Sequence, residues 1–369
     1  MTIKSLHGKL TIRVQRFIEK GKEVSYFDLT QEFQDGYVSE RVKEFSAYYS
    51  NRISYQEVEG LIEKLTGEKL LSDQKIREIV VNKAVEVSKE IREQLKINKA
   101  EIMPEINSEV EIYNKADKEI LLFDDAILVK EQKASREKSI TKSEESNKVW
   151  VSSDVITLEK ADGGFQYITA LIDEKGQEIV SLEEVVRAKV IEEYADKKEP
   201  LNIVAITDGA KAIRSHLVII FGLTITIILD WYHLVKRLRE FMSMIARNKE
   251  EKVKHLQFIF YHLWRGNTET VFNYLTTQLI AKNPLRLKEL IEYLQKHNCE
   301  IIDYDKRKKA GKTIGSGRAE KSVDLVIGHR QKGKGMSWRD SGSKSLGILK
   351  TFELNHSWQH LWFPDQIAA

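Results

Sequence analysis

Cysteine is nearly absent from this chain of 369 residues, in which Cys299 is the only one. A single cysteine cannot form an internal disulfide, and no Cys-x-x-Cys pair exists to ligate a structural zinc ion. Long apolar runs are also missing. The longest, Leu217 to Leu229, has 13 residues and is interrupted by Gly222, whereas a membrane helix needs about 20. Because the first residues also lack the apolar core of a secretory signal, we expect a soluble, cytoplasmic protein with no membrane partner.

Neither sign of charge dominates, since 59 Lys and Arg oppose 56 Asp and Glu for a net charge of +3. This balance does not by itself indicate an anionic partner, so a nucleic-acid partner must be argued from where basic residues cluster. Hydrophobic residues make up 41% of the chain. That content and the length predict two or three domains with folded cores, and exclude a largely disordered chain.

Proline is scarce, and Pro104, the first of four, separates two kinds of pattern. Residues 1–104, including the first fifty, are predicted to form an all-helical amino-terminal module. Within it, apolar residues recur at helical spacing from Val58 to Leu65, and the pattern breaks at Gly67. A second helix is predicted to begin after Ser72, a favourable N-cap.

This helix, turn and helix predicts a helix-turn-helix DNA reader or, alternatively, a plain oligomerisation arm. In a reader, Gln74, Lys75 and Arg77 would lie near the start of the recognition helix, where side chains reach base edges. Acids are as common as bases in this region, so the residues leave both interpretations open.

After Pro104 three strand-like segments follow one another, and the pattern then alternates between helices and strands. The predicted order is strands at 120–129, 149–159 and 165–176, a helix from Ser181, a strand at 201–209, a short helix, and a strand at 223–230. The polar residues 134–148 are predicted to form an exposed loop. This order implies an α/β fold with a mixed sheet covered by helices on both faces, which is the topology of an RNase H-like domain.

The fold prediction divides the rest of the chain into three parts. Residues 105–232 would form the catalytic core with its five strands, 233–310 a helical insertion, and 311–369 the last core helix with a basic segment.

Acidic residues fall where the first and fourth strands of such a sheet lie side by side. Asp124 and Asp125 are on the first strand, Asp208 ends the fourth, and Glu320 is on a helix that follows a Gly-Ser-Gly turn. Carboxylates gathered in one place need cations, and oxygen-only ligands suit Mg²⁺ or Mn²⁺. Two such ions would activate an attacking hydroxyl and stabilise the leaving oxygen of a phosphodiester.

Four segments resemble the transposases of bacterial insertion sequences, which have a DDE catalytic triad and a helical insertion in an RNase H-like domain. The segments are FDDAILVKEQK, ITDGAK, DWYHLVKRL and IGSGRAEKSVDLVIGHRQKGKGMSW. The resemblance covers roughly residues 105 to 350, and it implies that Asp125, Asp208 and Glu320 are the catalytic residues and metal ligands. It favours Asp125 over Asp124, because the family pattern of Asp, a small residue, a hydrophobic pair, Val and Lys begins at Asp125. Neighbours on a strand face opposite sides, so only one of the two can point into the site.

Asp230 is the alternative to Asp208, because it also ends a strand. Topology favours Asp208, which follows the fourth strand, whereas Asp230 follows the fifth and is predicted to cap the helix after it. A secondary role of Asp230 near the site stays open.

Basic residues cluster between Lys306 and Arg339, around the predicted catalytic Glu320. Repeated glycines let the backbone of this segment approach phosphates closely, so we interpret it as a DNA-contacting surface and not only as a solvated one. The predicted DNA-binding residues are Arg318, Lys321, Arg330, Lys332 and Lys334.

Taken with the resemblance, these residues predict a transposase that cleaves double-stranded DNA at element ends and joins it to a target. Because two ends must be brought together, a homo-oligomer is expected by analogy. Two alternatives remain: another nuclease of the same fold, of resolvase type, and a catalytically decayed DNA-binding protein.

Overall fold

The computed structural model describes residues 1–26, 36–97, 102–132, 150–333 and 335–364. The predicted loop at 134–148 lies outside these ranges. The described part is a mixed α/β structure in which a central five-stranded sheet is covered by helices on both faces. None of the described helices is long and apolar enough to cross a membrane.

The chain begins with strands, so the prediction that the first fifty residues are helical is wrong for Thr2–Ser25 and for Tyr37–Val38, while residues 27–35 lie outside the described ranges. Two hairpins and a short fifth strand are present: β1 (Thr2–Ser5), β2 (Gly8–Thr11), β3 (Arg16–Glu19), β4 (Lys22–Ser25) and β5 (Tyr37–Val38). The turn between β3 and β4 places Lys20 and Gly21 at φ angles of 50° and 77°. Two successive positive φ angles match the twist of a tight hairpin, which a helix cannot accommodate.

Three helices follow: α1 (Glu40–Ser50), α2 (Tyr55–Thr66) and α3 (Asp73–Ile97). The predicted break is confirmed, since Gly67 ends α2 in the left-handed conformation at φ 75°. The predicted cap is also confirmed, because the backbone N–H of Lys75 donates to the hydroxyl of Ser72 (3.2 Å).

These helices do not form a separate hydrophobic core. Val58, Ile62 and Val80 belong to one buried cluster that also contains Ile127 of the central sheet and Leu346 near the carboxyl terminus. The predicted module before Pro104 therefore folds onto the rest of the chain.

The remaining strands include the five of the central sheet. Their bounds are β6 (Ile120–Lys130), β7 (Trp150–Glu159), β8 (Phe165–Ile168), β9 (Leu171–Ile172), β10 (Glu178–Val180), β11 (Ile203–Thr207) and β12 (Thr226–Leu229). The order across the sheet is β12-β11-β6-β7-β8. Strands β6, β7 and β8 are antiparallel neighbours, while β11 is parallel to both β6 and β12. The predicted mixed sheet is confirmed, except that the third predicted strand is split into β8 and β9, and β9 pairs with β10 outside the sheet.

Helices α4 (Leu182–Tyr194) and α5 (Lys211–Phe221) cover one face of the sheet. The capping box predicted for α4 is present between Ser181 and Glu184. The other face is covered by a block of helices that matches the predicted insertion: α6 (Trp231–Ile245), α7 (Lys249–Leu263), α8 (Thr268–Asn273), α9 (Pro284–Lys296) and α10 (Tyr304–Lys309).

The carboxyl-terminal part returns to the sheet. It consists of α11 (Gly317–Val323), α12 (His329–Gln331), α13 (Asp340–Leu354) and α14 (Trp358–Trp362), with a π-helical turn at Asp324–Gly328 between the first two. Helix α11 packs against β6 and β7, so it brings the residues that follow the Gly-Ser-Gly turn to the centre of the sheet.

Candidate active site

Three aspartates lie at one level across the neighbouring parallel strands β6, β11 and β12. Ala205 of β11 pairs with Leu122 of β6, and the same offset continued along both strands brings Asp208 level with Asp125. Thr207 pairs with Leu229, so Asp230 follows at the same level on β12. The carboxyl ends of β11 and β12 therefore meet the middle of β6 at a single edge.

Asp124 and Asp125 face opposite sides of the sheet, as neighbours on a strand must. Asp124 points with Leu122 toward the α4 and α5 face, where it is 2% exposed and lies 3.3 Å from Nδ1 of His216. Burial raises the pKa of Asp124, and the hydrogen bond with His216 opposes that rise. Asp125 points with Phe123 toward the helical block, so it is the member of the pair on the face of Glu320.

Asp125 lies in a negative environment made by the other predicted site residues. Burial, and then the charges of Asp208, Glu320 and Asp124, raise its pKa to about 6, although the Ala126 N–H donates to its carboxylate (2.8 Å). A nearby negative charge disfavours the ionised form of a carboxyl group and so raises its pKa. The structure thus brings Asp125, Asp208 and Glu320 into electrostatic contact.

Two of these carboxylates have defined partners. Oδ1 of Asp208 accepts a hydrogen bond from the backbone N–H of Ala210 (2.7 Å), which fixes the carboxylate at the start of α5. The Glu320 side chain is 65% exposed, and its Oε1 lies 3.6 Å from Nε2 of His233. The other ring nitrogen of His233 lies 3.4 Å from Asp230, whose carboxylate raises the pKa of the imidazole.

Asp230 caps helix α6, as predicted, because one carboxylate oxygen accepts from the backbone N–H groups of Tyr232 and His233. Its second oxygen accepts from the backbone N–H and the hydroxyl of Ser316, directly before α11. Burial would raise the pKa of Asp230, but the hydrogen bonds from His233 and Ser316 outweigh it and lower the pKa to about 2. Asp230 is therefore ionised although it is only 1% exposed. Its hydrogen bonds link the sheet to the helix that carries Glu320.

Sequence reasoning missed Ser316 and His233. Ser316 lies 86 positions from Asp230 in the sequence, so no local pattern connects the two. His233 is close to Asp230 in the sequence, but no local feature distinguishes it from a histidine that only packs in the core. The acidic end of β12 was the one signal that pointed to both.

The donor chemistry of the site fits a divalent cation such as Mg²⁺, since Asp125, Asp208 and Glu320 supply only carboxylate oxygens. Their mutual effect on the pKa of Asp125 shows charge that a cation would compensate. Across the described ranges, however, no group of three or more His, Cys, Asp and Glu side chains converges closely enough to hold a metal ion in this conformation.

Three of the predicted DNA-binding residues are exposed, and two of them, Arg318 and Lys321, are on the helix that carries Glu320. Lys321 and Lys332 are on the surface, and the Arg318 guanidinium lies over the ring of Phe165 at 3.9 Å. Lys334 lies outside the described residues. Arg318 and Lys321 flank Glu320 in the sequence of α11, where side chains one or two positions apart point in different directions.

Arg330 does not reach the surface, and this corrects the prediction that it contacts DNA. It is 6% exposed, its Nε donates to the carbonyl of Ser50 (2.6 Å), and its guanidinium lies 4.7 Å from the ring of Trp338. Arg330 ties α1 to the carboxyl-terminal segment. Arg307, from the same basic run, is likewise buried and paired with Glu119 (2.7 Å).

Comparison of the chain with known protein families finds no matching family model, and comparison with curated proteins finds no significant similarity.

Proposed function

We propose that this chain is a transposase of insertion-sequence type that cleaves and joins DNA by metal-dependent phosphoryl transfer. The observation that carries the proposal is the grouping of Asp125, Asp208 and Glu320, contributed by the middle of β6, the end of β11 and helix α11. The sheet order β12-β11-β6-β7-β8 supports it, because three antiparallel strands followed by two parallel ones is the order expected of an RNase H-like domain.

In this proposal the three carboxylates hold Mg²⁺ or Mn²⁺, as one ion or two. A bound ion would lower the pKa of a nucleophilic water or 3′-hydroxyl and stabilise charge on the phosphate. The chain's own residues position the reaction: Asp230 and Ser316 fix the start of α11, and His233 holds Glu320 from the side of α6. Arg318 and Lys321 would orient the scissile phosphate.

The partners that follow from this proposal are double-stranded DNA and a second copy of the chain. Cleavage would use water as the nucleophile, and joining would use the freed 3′-hydroxyl against target DNA. Neither step needs a covalent protein intermediate, since both are in-line displacements at phosphorus.

The test is cleavage and strand transfer on a DNA that carries the repeats flanking the gene, in Mg²⁺. Asp125→Asn, Asp208→Asn and Glu320→Gln should each lower cleavage by about 100-fold or more while DNA binding persists. Asp124→Asn is the matched control, because the carboxamide keeps a hydrogen-bonding partner for His216 on the opposite face. Ca²⁺ in place of Mg²⁺ should permit binding without turnover.

Each alternative has a distinct result. Cleavage without joining would indicate a nuclease of the same fold, and specific binding without cleavage in Mg²⁺ or Mn²⁺ would indicate a decayed DNA-binding protein. A dead Asp124→Asn variant beside an active Asp125→Asn variant would overturn the assignment of the strand face.

A further inference from the structure

A cavity of about 550 Å³ opens beside Asp208, between the start of α5, helix α6 and the end of α9. Four cationic side chains line it, Lys211, Lys236, Arg237 and Lys296, against the two acids Asp208 and Glu240. Its size is within the usual range of small-molecule sites, about 300–1,000 Å³.

The positive charge of this cavity is only partly neutralised. Arg237 pairs with Glu240 (3.2 Å), but the three lysines are exposed and none has an acidic partner within the described ranges. The start of α5 adds to the field, because its N-cap residue, Ala210, provides no side-chain cap and the free N–H groups of the first turn carry partial positive charge. Cations that outnumber the acids around one cavity indicate an anionic ligand.

Two buried polar groups in the same wall point to a ligand as well. His297 is 1% exposed, and its Nδ1 is 2.5 Å from Oε2 of Glu300, which also pairs with Arg214. Its Nε2 and the hydroxyl of Tyr293 are buried and have no hydrogen-bond partner in the described structure. Since buried polar groups are nearly always hydrogen-bonded, the Tyr293 hydroxyl has capacity to donate to an oxygen of a bound molecule, and Nε2 of His297 has a hydrogen bond still to make.

The cavity is adjacent to the carboxylates. Gly209, the residue after Asp208, packs so closely on the imidazole that a Cβ there would lie 2.8 Å from Cε1 of His297. A ligand against His297 is thus next to the strand end that carries Asp208.

We propose that this cavity binds a phosphate of the DNA strand next to the scissile one, through Lys211, Lys236 and Lys296. This inference rests on the proposed function, because it takes the phosphate to belong to DNA. Lysine ammonium groups and a helix start provide donors for phosphate oxygens.

The first arm of the test needs neither metal nor cleavage. Binding of deoxyadenosine monophosphate and of deoxyadenosine is measured by calorimetry for the full chain, in EDTA. The wild type should bind the monophosphate about tenfold or more tightly than the nucleoside. The variant Lys211→Gln/Lys236→Gln/Lys296→Gln should lose that difference. Lys288→Gln is the control, since Lys288 is on α9 but does not line the cavity.

The second arm replaces single phosphates near the cleavage site by neutral methylphosphonates. At one of these positions the methylphosphonate should weaken DNA binding by the wild type about fivefold or more. The same substitution should leave DNA binding by the triple lysine variant unchanged. Monophosphate binding without such a position would show that the site takes a free nucleotide, and would overturn the DNA assignment. The inference would be overturned if the wild type bound the monophosphate and the nucleoside equally, or if the triple variant kept the difference between them. Either result would count regardless of the cleavage activity of Asp125→Asn. Full cleavage by Asp125→Asn would instead count against the proposed mechanism alone.

Discussion

The carboxylate of Asp230 accepts hydrogen bonds from the backbone N–H and the hydroxyl of Ser316, and so ties the end of β12 to the start of α11. Its other oxygen caps α6 by accepting from the N–H of His233 (3.0 Å). One buried carboxylate therefore fixes two helices against the sheet. The distance from Glu320 to the strand end at Asp208 depends on this link, because α11 begins directly after Ser316.

The hydrogen bonds of Asp230 make the free energy of unfolding depend on pH in a predictable direction. Hydrogen bonds hold the pKa of Asp230 at about 2, below its usual 3.8. The folded state thus binds fewer protons than the unfolded state between these values, so this contribution is fully present above about pH 4 and is lost as the pH falls through 2. Asp230→Asn should lower the free energy of unfolding by about 2 kcal/mol at pH 7. Urea unfolding from pH 7 to pH 2 should show the gap to the wild type closing toward acid, whereas a constant gap would mean that the ionised state is not what stabilises the fold.

Gly209 should tolerate no side chain. Its φ is +83°, and a Cβ would come within 2.8 Å of both His297 and Leu229. Gly209→Ala should cost roughly 2–4 kcal/mol of stability through strain and overpacking, and it should displace Asp208. Gly163→Ala is the control, because that position has a similar φ of +84° but nothing within 4 Å of the added Cβ. Thermal unfolding of both variants separates the two costs, and equal losses would mean that backbone strain alone matters.

The sheet and its acidic residues were predictable because their signals are local. Alternating or continuous apolar residues marked the strands of the central sheet, and chain order then determined which strands are neighbours. The prediction of Asp125 over Asp124 used the two-residue period of a strand and the resemblance, and in the structure Asp125 lies on the face of Glu320.

The misplaced residues depend on contacts between distant segments. Nothing near Arg330 in the sequence shows that the carbonyl of Ser50 and the ring of Trp338 enclose its guanidinium. Because basic residues are usually exposed, the sequence predicted an exposed side chain for Arg330. The amino-terminal hairpins were missed for a related reason: strands of four residues, such as those that flank Gly21, are too short to show a period.

Arg330 and Lys332 should respond oppositely to substitution, although they are two residues apart. Arg330→Met removes a donor to the buried carbonyl of Ser50, so it should cost about 1–3 kcal/mol of stability and leave the salt dependence of DNA binding unchanged. Lys332→Ala is at the surface and should keep stability. If Lys332 contacts a phosphate, its loss should flatten the slope of log affinity against log salt by about 0.9. Fluorescence anisotropy across a salt series measures the slope, and an unchanged slope for Lys332→Ala would leave that residue as part of a solvated surface.

The start of α3 is the place to test the helix-turn-helix prediction, and the test needs the whole chain. Helix α3 packs against α13, and the core of the amino-terminal helices continues into the sheet, so residues 1–104 alone would expose that core.

Gln74 and Lys75 are exposed at the first turn of α3, where a recognition helix presents side chains to base edges. Gln74→Ala/Lys75→Ala should weaken binding to element-end DNA about tenfold while affinity for scrambled DNA changes less, because base contacts carry the discrimination. Lys96→Ala, at the opposite end of the same helix, is the matched control for loss of one charge. If the ratio of the two affinities is the same in the double variant as in the wild type, α3 does not read bases, and the alternative of an oligomerisation arm is then tested by the association state of the full chain.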